Sequence, residues 1–320
     1  MSHLAIGIDI GGTKTSIGII DENGGILALE TFLTPTESSP ECVVCKIEQA
    51  YRKLRERLGR RTVLAAGIGI AGRVDAEEKS VIFAPNIGWR SVPLGLMIEE
   101  SLGLPVVVGN DVAAITIGEW TFGAGRGVDN FVCIYVGTGI GGGIVSSGRF
   151  ITGASNAAGE IGHIVVVSGG RRCTCGGRGC LEAYAGGWGI AERAREEVEK
   201  DPGAGKRLLE LAGAPDRITA REVVTAYMGK DELATELISS TMEYLASGMV
   251  SVVHMLNPEC LILGGGVIEG LKELVGWLEA MVKEKAIRPS TKHLRIVKAM
   301  LGGEAGVIGA AQMARVALEG

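Results

Sequence analysis

The stretch Leu4-Ala5-Ile6-Gly7-Ile8-Asp9-Ile10-Gly11-Gly12-Thr13-Lys14-Thr15-Ser16-Ile17-Gly18-Ile19-Ile20 decides how the chain is read. An apolar run is broken by a glycine turn and then resumes, which predicts a strand, a turn and an antiparallel strand. Asp21-Glu22-Asn23-Gly24-Gly25 is a second turn and leads into a third strand over residues 26–33. Outward from this meander the pattern predicts a helix over 40–58, a buried strand over 64–70, an apolar strand over 106–109 and a helix that begins at Asp111. Strands and helices mixed in this way belong to a layered α/β domain.

The middle of the chain repeats the opening. A strand over 131–136 is broken by Gly137-Thr138-Gly139-Ile140-Gly141, resumes over 142–146, and turns at Ser147-Gly148 into a third strand from Arg149. Two such hairpins predict two related domains facing each other. Helices are expected near 182–200, 220–228 and 231–256. A strand over 260–263 runs into Gly264-Gly265-Gly266, a helix follows from Ile268, and a last helix covers about 304–318.

Composition narrows the function classes. Fifty of 320 residues are glycine, against a usual share of roughly 7%, yet they fall in short clusters between β-branched runs and follow no Gly-X-Y period. Collagen-like and disordered readings therefore fall away. A net charge of −5 with no basic patch beyond short runs such as 52–61 argues against a nucleic-acid partner. Apolar runs are interrupted by glycine and hydroxyl residues before they reach membrane-spanning length, and Met1-Ser2-His3-Leu4 lacks a basic secretory start, so a cytoplasmic protein is expected. Seven cysteines are an odd number for a disulfide framework.

Glycine clusters after apolar strands suit a nucleotide site, because backbone N–H groups reach phosphate oxygens closely only where no Cβ intervenes. Residues 137–142 and 67–72 both match G-x-G-x-x-G formally, but neither opens a helix as a dinucleotide-binding fold requires. A Walker A loop is absent too, since Thr13 stands where its lysine should be. A pair of phosphate-gripping hairpins remains, one with Asp9 and Lys14 and the other with Thr138. Asp9 is either a turn-capping carboxylate or a group beside the Mg²⁺ that accompanies a triphosphate. His163, Cys173, Cys175 and Cys180 form a Cys₃His set suited to tetrahedral Zn²⁺; the other reading is ordinary buried cysteines, which leaves Gly176, Gly177 and Gly179 unexplained. Cys42 and Cys45, on the first predicted helix, are read as packing, and Cys133 and Cys260 as strand core. His3, His254 and His293 have no suggestive partners.

Asp9-Ile10-Gly11-Gly12-Thr13-Lys14, Asn110-Asp111, residues 137–143, Gly159-Glu160-Ile161-Gly162-His163, and Cys173-x-Cys175-Gly176-x-x-Gly179-Cys180-Leu181-Glu182 occur in this order. Together they resemble the ROK family (repressors, open reading frames and sugar kinases) over residues 4 to about 315. The resemblance implies an α/β actin-like ATPase (ribonuclease H-like) fold, with two lobes around a cleft. The expected lobes are 1–116 plus 304–320, and 117–303 with the zinc loop. It implies transfer of the γ-phosphate of ATP, accompanied by Mg²⁺, to a hexose hydroxyl, with Asp111 as catalytic base. Read from the residues alone, Asp111 is either an N-cap or the carboxylate that takes the acceptor proton.

By the same resemblance Gly72, Asn86, Asn110, Asp111, Glu160, His163 and Glu182 bind sugar. Gly11, Gly12, Thr13, Lys14, Gly137, Thr138 and Gly139 hold phosphates, and Gly264, Gly265 and Gly266 lie beside adenosine. Zn²⁺ has a structural role on His163, Cys173, Cys175 and Cys180. From the residues alone, Glu160 could instead be an ordinary surface glutamate. Where many members have Gly-x-Pro-Gly, this chain has Gly69-Ile70-Ala71-Gly72, which keeps the last glycine and loses the proline's rigidity. A glucokinase acting on the sugar 6-hydroxyl is expected, with an N-acetylglucosamine or N-acetylmannosamine kinase as the alternative. A sugar-responsive regulator would carry a helix-turn-helix ahead of the first strand, where three residues stand here. A homodimer or homotetramer is expected by analogy.

Overall fold

The computed structural model describes residues 4–35, 39–58 and 61–319. The sequence readings made on residues 1–3, and on Gly59 and Arg60 of the basic run, lie outside them. The chain forms two compact units. The first runs to Gly127, takes in Thr152–Ala158 and resumes at Met300; the second comprises Val128–Ile151 and Gly159–Ala299.

In the first unit, β1 (Leu4–Ile10), β2 (Lys14–Ile20) and β3 (Ile26–Leu33) form the meander read from the sequence. They are followed by α1 (Pro40–Leu58), β4 (Val63–Ile70), β5 (Arg73–Asp75), β6 (Ser80–Ala84), β7 (Trp89–Val92), α2 (Leu94–Leu102), β8 (Val106–Asn110) and α3 (Asp111–Phe122). The main sheet has the order β3-β2-β1-β4-β8. Only β2 runs against the others. The small antiparallel sheet β5-β6-β7 and α2 were not anticipated. Strands of three to five residues give too short a period to read. Where the expected lobe boundary fell at residue 116, α3 continues without a break to Phe122.

The C-terminal helix, Ala305–Glu319, lies directly on this sheet. Gly7 pairs with Gly18 on one side and Gly67 on the other, so three strands present a row without side chains. A Cβ on Gly7 would stand 1.7 Å from the Val307 carbonyl oxygen, and one on Gly67 1.8 Å from that of Ala310.

The second unit repeats the arrangement. Its elements are β9 (Phe131–Val136), β10 (Ile140–Ser146), β11 (Arg149–Phe150), α4 (Glu182–Ala185), α5 (Gly187–Lys200), α6 (Lys206–Ala212), α7 (Ala220–Met228), α8 (Glu232–Leu256), β12 (Cys260–Gly264), α9 (Gly266–Gly270), α10 (Val275–Lys285), α11 (Arg288–Thr291) and β13 (Arg295–Lys298). The sheet order β11-β10-β9-β12-β13 matches that of the first unit position by position, with β10 again the one reversed strand. A side-chain core of Leu237, Met242, Leu245, Met249, Val252 and their neighbours packs the helices.

Three sequence expectations need correction here. The helix foreseen over 182–200 breaks at Gly186, whose ψ of 154° is extended; the backbone N–H groups of Gly187 and Trp188 donate to Gly137 and Thr138 oxygens, each at 2.9 Å. The helix foreseen from Ile268 starts at Gly266, ends at Gly270, and is followed by a 3₁₀ turn before α10. Cys133 and Cys260 are core residues as expected, but Cys45 is exposed, so the packing reading fails for it. Among the described residues no helix is long and apolar enough to cross a membrane.

Candidate functional site

In the first unit, the carboxyl ends of parallel β1, β4 and β8 carry the residues singled out from the sequence. Asp9 lies near the end of β1 and Asp111 at the start of α3. Burial pushes the Asp9 carboxyl up to about 6, the Asp111 charge adds to this, and Lys14 opposes it. The turn after β1 closes with a hydrogen bond from Gly11 N to Lys14 O at 3.0 Å. Thr34 clamps it: its hydroxyl donates to Gly11 O at 2.8 Å, its N–H donates to Thr13 O at 2.9 Å, and its Oγ1 stands 2.9 Å from that of Thr15. Thr13 and Lys14 are exposed. Gly12 backs onto Asn86, whose Cβ would be 2.8 Å from a Cβ placed on the glycine. Thr34 was missed because it follows β3 in a stretch with no motif of its own.

Asn110, not Asp111, caps α3. Its Oδ1 accepts from Val112 N at 2.9 Å and Ala113 N at 3.2 Å, and its Nδ2 donates to Gly72 O at 3.2 Å. The N-cap alternative for Asp111 is thereby answered: Asp111 is the first helical residue, where a carboxylate faces the positive end of the helix. Gly72 has a packing reason of its own, since a Cβ there would meet Phe83 O at 2.6 Å.

In the second unit, the Gly137–Gly139 turn closes with Gly137 N donating to Gly139 O at 3.0 Å. Glu182 is buried beside it. Its Oε2 accepts from Ile140 N at 2.7 Å, and its Oε1 accepts from the Trp188 indole at 3.1 Å and the Thr174 hydroxyl at 3.5 Å. Gly265 sits against the end of β9, because a Cβ on it would be 2.5 Å from Val136 O. Gly264 is filled by the Tyr135 ring, whereas Gly266 has open space around it.

His163, Cys173, Cys175 and Cys180 converge, with their ligand atoms all within 4.8 Å of one another. His163 Nδ1 stands 3.7 Å from Cys173 Sγ, and Cys175 Sγ 3.7 Å from Cys180 Sγ. Bonds of about 2.3 Å to sulfur and about 2.0 Å to nitrogen put tetrahedral ligands about 3.5–3.8 Å apart, so the donor set fits Zn²⁺. Burial, then its sulfur neighbours Cys175 and Cys173, push the Cys180 thiol up to about 12, and burial raises that of Cys173. The Gly177 backbone N–H lowers that of Cys175. Three thiols this close resist joint ionisation unless a cation offsets their charge. The Arg171 guanidinium anchors the loop through a two-pronged pair with Glu196 at 2.7 and 2.5 Å. The other imidazole nitrogen of His163, Nε2, is 3.9 Å from Glu160 Oε2. Glu160 precedes the 3₁₀ turn that carries His163 and is exposed.

A family model described as the ROK family matches residues 5–317. The chain belongs to the ROK family. Like the glucokinase of Streptomyces coelicolor, to which it is 36% identical with 98% of each chain covered, and that of Thermotoga maritima, at 34% identity and the same coverage, this ROK chain is matched over nearly its whole length. A solved ROK family glucokinase from Streptomyces griseus in complex with glucose and AMPPNP is 37% identical, covers 98% of this chain and 99% of its own, and superposes with a TM-score of 0.82. The fold is the α/β actin-like ATPase fold of ROK kinases, and the doubled β-sheet order is its signature in this chain.

Proposed function

We propose that this ROK protein is an ATP-dependent hexokinase, with glucose as its preferred acceptor, that transfers the γ-phosphate to the sugar 6-hydroxyl. The observation that carries the reading is Asp111. It stands in the first turn of α3, directly after the capping Asn110 and close enough to Asp9 for its charge to raise that carboxyl. As base it would accept the proton of the attacking hydroxyl. Asn110 keeps one amide hydrogen beyond the Gly72 bond for a sugar hydroxyl. Further sugar contacts are assigned to Gly72, Asn86, Glu160, His163 and Glu182.

The turns Gly11–Lys14 and Gly137–Gly139 are proposed to hold ATP phosphates, and Gly264–Gly266 to border the adenosine. Mg²⁺ arriving with ATP would be held near Asp9 and would neutralise phosphate charge. Zn²⁺ on His163, Cys173, Cys175 and Cys180 would crosslink the loop and leave His163 Nε2 facing Glu160. A cytoplasmic homo-oligomer that binds neither nucleic acid nor membrane completes the proposal.

An ADP-release assay over glucose, mannose, fructose, N-acetylglucosamine and N-acetylmannosamine tests it. Glucose should rank first in kcat/KM. An N-acetylated sugar ranking first would replace glucose as the substrate, and no turnover on any of the five would refute the kinase reading.

A further inference from the structure

Trp188 touches the cysteine loop and the glycine turn at once. Its ring packs against the cluster of Cys173, Cys180, Ala183 and Tyr184. Its backbone N–H donates to Thr138 O at 2.9 Å, and its indole N–H to Glu182 Oε1 at 3.1 Å. Glu182 completes the bridge. Its Oε2 takes the Ile140 N–H at the exit of the turn, and its Oε1 also faces the hydroxyl of Thr174, the residue between two of the cysteines. No slack exists on the turn side, since a Cβ on Gly139 would lie 2.4 Å from Glu182 Oε2. A buried carboxylate held by main chain on one side and an indole on the other moves only with both, because each bond it breaks leaves a buried polar group unpaired.

We infer that Trp188 and Glu182 are positioning residues that couple the metal-bearing loop to the Gly137–Gly139 turn, so that the loop's integrity sets the affinity for nucleotide phosphates. This rests on the reading of that turn as a phosphate grip. It adds a role to Glu182 beyond the sugar contact assigned to it, and gives Trp188 a role that no sequence motif announced.

The test is Trp188→Phe, which keeps a ring against the cysteine cluster and removes the indole donor. MgADP dissociation constants are measured calorimetrically without sugar, alongside steady-state kinetics and metal content. Weakening by about threefold or more is expected, with a matching rise in the KM for ATP, kcat and the KM for glucose within about twofold of wild type, and unchanged metal per chain. Glu182→Gln, which cannot serve all three donors, should weaken MgADP in the same direction and covers a Phe variant that fails to fold. Wild-type binding of MgADP with unchanged affinity in the folded variants overturns the inference and leaves the kinase reading intact. A weakened variant that has lost metal and recovers fully on adding Zn²⁺ would show that the loop governs the turn without the indole, which overturns the role given to Trp188. A wild-type protein that neither binds MgADP nor phosphorylates a hexose overturns both.

Discussion

Glu119 is fully buried, and its carboxylate gathers three backbone N–H groups from two distant segments. Oε1 accepts from Met300 at 2.9 Å and Leu301 at 2.8 Å, and Oε2 accepts from Ala124 at 2.8 Å. These segments flank the points where the chain leaves the first unit after Gly127 and returns to it at Met300. Glu119→Gln keeps shape and helix propensity but replaces one acceptor oxygen with a donor. If the remaining carbonyl serves Met300 and Leu301, the amide meets the Ala124 N–H donor to donor. A hydrogen bond to a charged acceptor contributes about 1.5–3 kcal/mol, and the stranded N–H adds to the loss. The expected destabilisation is therefore about 3 kcal/mol, or a fall in melting temperature of roughly 6–12 °C for units of this size. Urea unfolding followed by tryptophan fluorescence measures the loss, and amide hydrogen exchange should show Ala124, Met300 and Leu301 opening faster than their neighbours. A loss below about 0.5 kcal/mol with unchanged exchange at these three amides would refute the reasoning.

Asp111→Asn should lower turnover at least about a hundredfold while glucose binding stays near wild type; a near-normal rate would remove Asp111 from the chemistry. The Asp9 carboxyl, raised from 3.8 to about 6, stays protonated in the folded state where the unfolded chain has already ionised. Its contribution to stability is thus complete below about pH 4 and lost as pH rises through about 6. Relative to wild type, Asp9→Asn should gain stability between those values, as read by urea midpoints from pH 4 to 7, and a constant difference across the range would contradict the assignment. Purified protein should carry one Zn²⁺ per chain, lost in Cys180→Ser with faster proteolysis of residues 164–180; a metal-free protein of full stability in chelator would exclude the centre.

Much of the architecture could be read because period and punctuation agree. The apolar run of β1, the glycine turn and the run of β2 recur in β9 and β10, and both sheets then grow by parallel addition, β4 and β8 in one and β12 and β13 in the other. The Cys₃His group could be read because few chemistries explain three cysteines in eight residues among glycines. Thr34, Trp188 and Glu119 could not. Each acts through a partner far away in sequence or through main-chain groups, and neither leaves a spacing pattern. Asn110 and Asp111 show the limit well: adjacent residues that both suit a helix start, one of which caps while the other does not, a choice set by the backbone turn between β8 and α3.

The glycine excess has two physical sources, and composition alone could not separate them. Some glycines stand where a ligand could approach: Gly137 and Gly266 have open space where a side chain would be. Others are closed by the protein itself. Gly67 belongs to one of the formal G-x-G-x-x-G matches, yet its missing Cβ makes room for the Ala310 carbonyl, and the paired Gly7 does the same for Val307. The first unit thus seats its C-terminal helix backbone against strand, whereas the second fills its helical layer with leucine, methionine and valine side chains. A methyl-sized change in those side chains is shared among neighbouring rotamers at a cost of about 1–3 kcal/mol. An alanine at Gly7 cannot be shared out in this way, because the atom it meets is a main-chain oxygen held by its helix, and the helix would have to lift from the sheet whose strand ends carry Asp9 and Asn110.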